Sequence, residues 1–209
     1  MPYGYLGQNQ PNQTVNNSGV FSITDVAELQ SQGKLGGSLE LIASQTFTTT
    51  TNVDFTAIQE SIFDVHYATI SVDRQTTSNE SIGIQFYESG VLETASVYQF
   101  AYQNGEAGGT FSESKSTGNN RLFATQFVDA GNDKFSYNYF YNLGDSAKYS
   151  FQTMHSTAIQ GTNYKMRFGG GVLPQASLVN GFRLKESIGG GATVSGTAKL
   201  YGVKQIWVT

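Results

Sequence analysis

Along most of the chain apolar side chains recur at every second position, the spacing at which a strand turns one residue inward and the next outward. "IFDVHYATISV" puts Phe63, Val65 and Tyr67 on one face and Asp64, His66 and Ala68 on the other. "SIGIQFYESG" repeats the device with Ile82, Ile84 and Phe86 inward. "KFSYNYFYNLGD" aligns Phe135, Tyr137, Tyr139 and Tyr141, and "NYKMRFGGG" aligns Tyr164, Met166 and Phe168 against outward Lys165 and Arg167. Each reads as half-buried sheet, with the apolar side expected toward the core.

Between these segments fall the turn signals "ESG", "QNGEAGG", "STGNN", "DAGND", "NLGDS", "FGGG" and "SIGGGAT". Their spacing of about eight to fifteen residues implies roughly ten strands. No helix-period stretch interrupts them, which disfavours a parallel α/β sheet. The pattern predicts an all-β fold, a two-sheet antiparallel β-sandwich of jelly-roll type over residues 34–209. The closing "TAKLYGVKQIWVT" reads as a strand held in the sheet. The Thr run in "TFTTTTNVDF" reads as an exposed strand edge or hairpin, because β-branched hydroxyl residues suit a pleated, half-solvated surface.

The first 33 residues differ. "FSITDVAELQSQG" predicts one short helix over 22–33: Ser22 with Asp25 fits a capping box, Val26 and Leu29 share a face, and Gly33 supplies a left-handed stop. Residues 1–21, with Pro2, Pro11 and many Asn, Gln and Gly, predict an extended N-terminal arm that has little apolar surface of its own to bury. Such a segment repays its ordering entropy by lying along another protein surface, so it reads as an attachment strap anchored by Tyr3, Tyr5, Leu6, Val15, Val20 and Phe21.

Composition narrows the function classes. In 209 residues, 13% charged side chains with a net charge of −4 and no basic stripe argue against nucleic acid as a partner, since phosphate neutralisation needs clustered Lys and Arg. No run of about eighteen apolar residues suggests a membrane-spanning helix, and the N-terminus has no signal-peptide pattern. With no cysteine, neither disulfides nor thiolate metal sites are expected, so the fold must rest on burial and assembly.

Candidate chemistry is sparse. The two histidines, His66 and His155, sit mid-strand without a nucleophile elbow or a zinc motif around them. Glu88 and Glu93 flank a turn in a way that brings two carboxylates together, the pairing that sugar hydrolysis uses, although solvated hairpin residues have the same spacing. Asp129 to Asp133 offers alternating oxygens but lacks the downstream Glu of a calcium loop. Tyr98, Phe100 and Tyr102 share one face, either as core or as a platform for sugar rings. The expectation is a protein that is not an enzyme, with no cofactor and no metal.

Six stretches carry a likeness: "GYLGQNQPNQTVNNSGVFSITDVAEL", "GSLELIASQTF", "IGIQFYESGVLETASVYQ", "FSESKSTGNN", "FGGGVLPQASLVNGFRL" and "TAKLYGVKQI". Together they resemble virion structural proteins, decoration or fibre-like, of marine tailed bacteriophages, especially cyanophages. The resemblance implies a structural protein on the outer surface of a virion, assembled in the host cytoplasm. Its implied partners are other virion proteins, either the major capsid protein or a tail or fibre component, and further copies of itself, with a trimer as one arrangement. A capsid decoration or cement role suits a chain without a repetitive shaft. The other reading is a fibre receptor- or carbohydrate-binding module recognising a host surface glycan through Trp207, exposed Tyr and loops such as "QNGEAGGTFSESKSTGNN".

Overall fold

The computed structural model describes residues 23–24, 27–28, 38–76, 81–127, 130–186 and 193–204. Ile23, Thr24, Ala27 and Glu28 are helical, inside the segment expected as a helix; Val26, Leu29 and Gly33 lie outside the described residues. The whole 1–21 arm, with Tyr3, Tyr5, Leu6, Val15, Val20 and Phe21, also lies outside them.

From Leu39 on, the described residues form thirteen strands. They are β1 (Leu39–Thr50), β2 (Asn52–Phe55), β3 (Val65–Gln75), β4 (Ile82–Glu88), β5 (Val91–Leu92), β6 (Tyr98–Glu106), β7 (Phe111–Asn119), β8 (Leu122–Phe123), β9 (Lys134–Tyr141), β10 (Ser150–Gln160), β11 (Asn163–Leu173), β12 (Val179–Glu186) and β13 (Val194–Val203). Eight build one sheet in the order β1, β13, β3, β9, β10, β11, β6, β7, and a second sheet runs β2, β12, β4, β5 with β8 paired to β4. All pairings are antiparallel. This is the expected sandwich; the eight-and-five partition does not itself give jelly-roll connectivity.

The Thr run sits where the chain passes between the sheets. β1 is an edge strand of the large sheet and β2 an edge strand of the small one, separated by Thr51 alone. Thr49 takes φ 51° at this corner, an unusual conformation for a β-branched residue. Its N–H donates to Ser195 Oγ at 3.0 Å, which ties the corner to β13.

Between the sheets lies one apolar core. Ala68, Ile70, Val72, Phe140, Met154, Ala198 and Leu200 from the large sheet meet Val53, Phe55, Ile82, Ile84, Phe86, Phe182 and Leu184 from the small one. Aromatic rings join the layers: Phe140 stands edge-on to Phe86 at 5.9 Å and lies 5.1 Å from Phe182, which stacks on Phe55 at 4.9 Å. Tyr98, Phe100 and Tyr102 also belong to this core, so they form no exposed platform.

Three strands face opposite to the expected way. On β3 the buried set is His66, Ala68, Ile70 and Val72, while Tyr67 faces out. On β9, Lys134, Ser136, Asn138 and Phe140 are buried, and the aligned Phe135, Tyr137, Tyr139 and Tyr141 form the outer face. On β11, Arg167 is buried, whereas Tyr164 and Phe168 are exposed.

The cause of the reversal on β9 is the segment after β8. Residues 124–127 form no strand, yet Ala124, Thr125 and Gln126 are buried, so their backbone needs hydrogen-bond partners away from water. The inward polar side chains of β9 and β10 supply several. Gln152 Nε2 donates to Phe123 O at 2.8 Å and to Asn138 Oδ1 at 2.7 Å, and Asn138 Nδ2 donates to Ala124 O at 3.4 Å. Ser156 Oγ accepts from Gln126 N–H at 2.8 Å. With those positions committed to polar groups, strict alternation sends the aromatics of β9 outward.

The stretch read as a loop, "QNGEAGGTFSESKSTGNN", is the β6–β7 hairpin. It turns at residues 107–110, with Gly109 at φ 98° and its N–H donating to Glu106 O at 2.9 Å. β13 lies between β1 and β3, so the expected C-terminal strand holds as far as Val203; Trp207 lies outside the described residues.

Candidate interaction face

The outward positions of the large sheet form a continuous aromatic surface. Register puts Leu41, Tyr201, Tyr67, Tyr139 and Thr153 in one row across β1, β13, β3, β9 and β10. The next row runs Lys199, Thr69, Tyr137, His155, Phe168. Tyr67 is the centre of the cluster, with its ring centroid 4.8 Å from Tyr139, 6.0 Å from Tyr201 and 6.2 Å from Tyr137. Tyr137 in turn meets the His155 ring edge-on at 5.5 Å, and Tyr141 shares a 3.3 Å hydrogen bond with Thr153. Phe135, Phe151, Ile159, Tyr164 and Phe168 extend the surface, each between 42% and 47% exposed.

This surface carries almost no charge. Packing among the other tyrosines removes water from the Tyr67 hydroxyl and raises its pKa, an effect reinforced by Tyr139, Tyr137 and Tyr201, so it stays a neutral phenol. Among the described side chains of β13, β3, β9, β10 and β11, the outward charged ones are Lys199 and, near one end of β3, Asp73. Glu113 and Lys115 stand at the rim on the edge strand β7 and pair with each other at 3.0 Å. Soluble sandwiches ordinarily present polar residues on the solvated face of an antiparallel sheet. An aromatic surface this continuous is unusual on the solvated face of a sheet.

The other candidates are placed as follows. His66 is fully buried, with Nε2 2.8 Å from Ile58 O, no partner for Nδ1 among the described residues and its pKa lowered by burial; its ring packs against Phe63. His155 lies on the aromatic face. Glu88 and Glu93 do come together, at the β4–β5 hairpin, where Ser177 Oγ donates to Glu88 and Glu93 Oε1 accepts from Ala95 N–H at 2.6 Å. Burial, then Glu93, raises the pKa of Glu88, while Ser177 opposes the shift. Asp133 is exposed and Asp129 lies outside the described residues; among the described residues no three acidic or histidine side chains converge as metal ligands.

Sequence reasoning missed the aromatic face because its residues had been expected in the core. Lys134, Ser136 and Asn138 have the composition of an ordinary solvated face, so the strand by itself carries no signal that this side is the buried one. Comparison with known protein families, with curated proteins and with solved structures finds no match.

Proposed function

We propose that this chain is a non-enzymatic structural protein of a tailed-phage virion exterior, a capsid decoration or cement protein, and that it works as a homo-oligomer closed through the outer face of its large sheet. The likeness of its sequence to virion proteins supplies the setting. The uncharged aromatic face carries the mechanism.

Size and chemistry favour a protein as the occupant. From β1 to β11 the face spans five inter-strand steps, about 24 Å at ~4.8 Å each, and from Phe135 to Tyr141 about 20 Å along a strand. That is roughly 500 Å² in projection before side-chain relief, the order of the ~800 Å² that each partner contributes to a standard interface. Tyrosine, the richest residue of the face, is enriched in protein interfaces because it covers area with few rotatable bonds. A second copy is the partner that charge selects. Two chains of net charge −4 repel over most of their surfaces, and they meet most cheaply where carboxylates are absent.

The arm, residues 1–21 with Tyr3, Tyr5, Leu6, Val15, Val20 and Phe21 as anchors, straps the oligomer to a neighbouring virion protein in this reading. The test of the face is the mass of the full chain in solution. Light scattering after size exclusion should give a multiple of 22.6 kDa, and the double variant Tyr67→Lys, Tyr139→Lys should give a monomer that circular dichroism shows still folded as β-sheet, with a Tm lowered by the lost association. A monomeric wild type, or an oligomer untouched by the two lysines, overturns the proposal.

The tyrosine cluster itself favours a second reading, a receptor- or carbohydrate-binding module, since a phenol offers a sugar ring both an apolar face and a hydroxyl. Glycan-array retention by the isolated chain, lost in the same double variant while the oligomeric mass of the wild type proves to be that of one chain, would establish it instead.

A further inference from the structure

A cavity of about 200 Å³ opens where β6, β7 and β11 meet the segment after β8, away from the aromatic face. Its wall includes Asn104, Ser112, Gln126, Phe127, Lys165 and Arg167. Arg167 is only 2% exposed. Buried cations are ordinarily paired with a carboxylate, because a guanidinium loses its hydration on burial and needs an opposite charge in return. Here none lies in ion-pairing range among the described residues. Arg167 Nε donates to Asn104 Oδ1 at 2.7 Å and Nη1 to Thr125 O at 3.2 Å, both neutral acceptors. The guanidinium is also stacked over Phe127 at 4.2 Å and lies 5.3 Å from the ring of Phe123 and 5.7 Å from that of Tyr102. Five N–H donors are available on an arginine side chain, and the remaining ones have no acceptor among the described residues.

The surroundings hold the guanidinium in place without neutralising it. Asn104 Nδ2 donates to Ser112 O at 3.3 Å, which fixes the amide with its oxygen toward Arg167. Gln126 is bound at both ends, Nε2 to Met166 O at 2.9 Å and Oε1 to Phe127 N–H at 2.8 Å. Lys165 adds a second cation to the wall. The one carboxylate that lines the cavity, Glu106, lies 3.7 Å from Lys165 Nζ and makes no ion pair with Arg167. Burial draws the pKa of Arg167 down to about 10, so the group is still a cation at neutral pH.

We infer that this cavity is an anion-binding site, in which Arg167 receives a compact oxyanion, a carboxylate or a phosphate group, with Lys165 at its side. A cavity of this volume admits the anionic group and a small body attached to it. The three aromatic rings around Arg167 exclude water and strengthen the charge-assisted bonds that a ligand makes there.

The experiment titrates the full chain separately with acetate, glucuronate and inorganic phosphate, each against sodium chloride at equal ionic strength. It follows the amide resonances of Asn104, Ser112 and Gln126 by NMR. At least one oxyanion should produce saturable shifts at these residues that chloride does not. A response led by acetate and glucuronate assigns a carboxylate ligand, and one led by phosphate assigns a phosphate. Arg167→Met should weaken the binding at least about tenfold, the loss expected for a charge-assisted hydrogen bond. Should that variant fail to fold, Lys165→Met, at a partly exposed position, should weaken it about threefold or more. Chloride-like behaviour from all three oxyanions, or equal binding by the folded variants, overturns the site.

Discussion

Phe140 concentrates the packing of both sheets in one side chain: it is fully buried, edge-on to Phe86 of β4 and against Phe182 of β12. Phe140→Ala should therefore cost about 3–5 kcal/mol through lost burial and an unfilled cavity. The corresponding fall in Tm is about 10 °C by calorimetry, given about 2–4 °C per kcal/mol for a chain of this size. Its neighbours Tyr139 and Tyr141 point the other way, and the equivalent change at Tyr141 should move Tm far less. In "KFSYNYFYN" nothing local separates the one aromatic that is core from the four that are surface. Arg167 has the same character. Between Met166 and Phe168 it reads as the outward residue of its strand, and the rings of Phe123, Phe127 and Tyr102 around it, with the acceptors Asn104 Oδ1 and Thr125 O, make an inward guanidinium tolerable.

The β4–β5 hairpin shows what an element adds to its residues. "ESGVLE" predicts a turn, and the turn is there, with Ser89 at φ 49° and Gly90 at φ 88°. Its closure brings Glu88 toward Glu93 and partly buries the Glu88 carboxyl, and burial first, then Glu93, raises the pKa of Glu88. A carboxyl whose folded pKa lies above its unfolded value contributes no destabilisation below the unfolded pKa; its stability contribution is lost as pH rises through the folded pKa. Glu88→Gln should accordingly leave Tm unchanged near pH 3 and raise it by about 1–2 °C at pH 7, a small gain because the pair is partly solvated. Thermal melts of the two proteins across that range check the sign. β9 and β10 make the same point about elements on a larger scale. Their two-residue period is plain in the sequence, yet the face each turns inward is fixed by the backbone of residues 123–126, from a different part of the chain.

For the whole molecule, the division of labour between an arm and a sheet face is the proposal that most needs measurement. Deleting residues 1–21 should leave the sandwich folded, because every strand among the described residues begins at or after Leu39. In the proposed role the truncated chain should keep the oligomeric mass of the full chain and lose attachment to purified particles, read by co-sedimentation. Undiminished attachment would remove the arm from the mechanism. In the proposed role the net charge of −4 and the aromatic face would act together: repulsion elsewhere on the surface would direct association to a broad area whose described residues place no carboxylate at its centre.

By itself the sequence determined that the chain is all-β, where most strands and turns fall, and that the Thr run lies at a sheet edge, because a period of two and the backbone demands of Gly and Asn are properties of a few adjacent residues. It also brought Glu88 and Glu93 together, since a hairpin is a local closure. Tertiary structure alone decided which side of β3, β9 and β11 is the inside. Alternation is symmetric with respect to the two faces of a strand, and the tie is broken by distant groups: the opposite sheet, and a buried strandless segment whose peptide groups claim the polar side chains and leave the tyrosines for the outer surface.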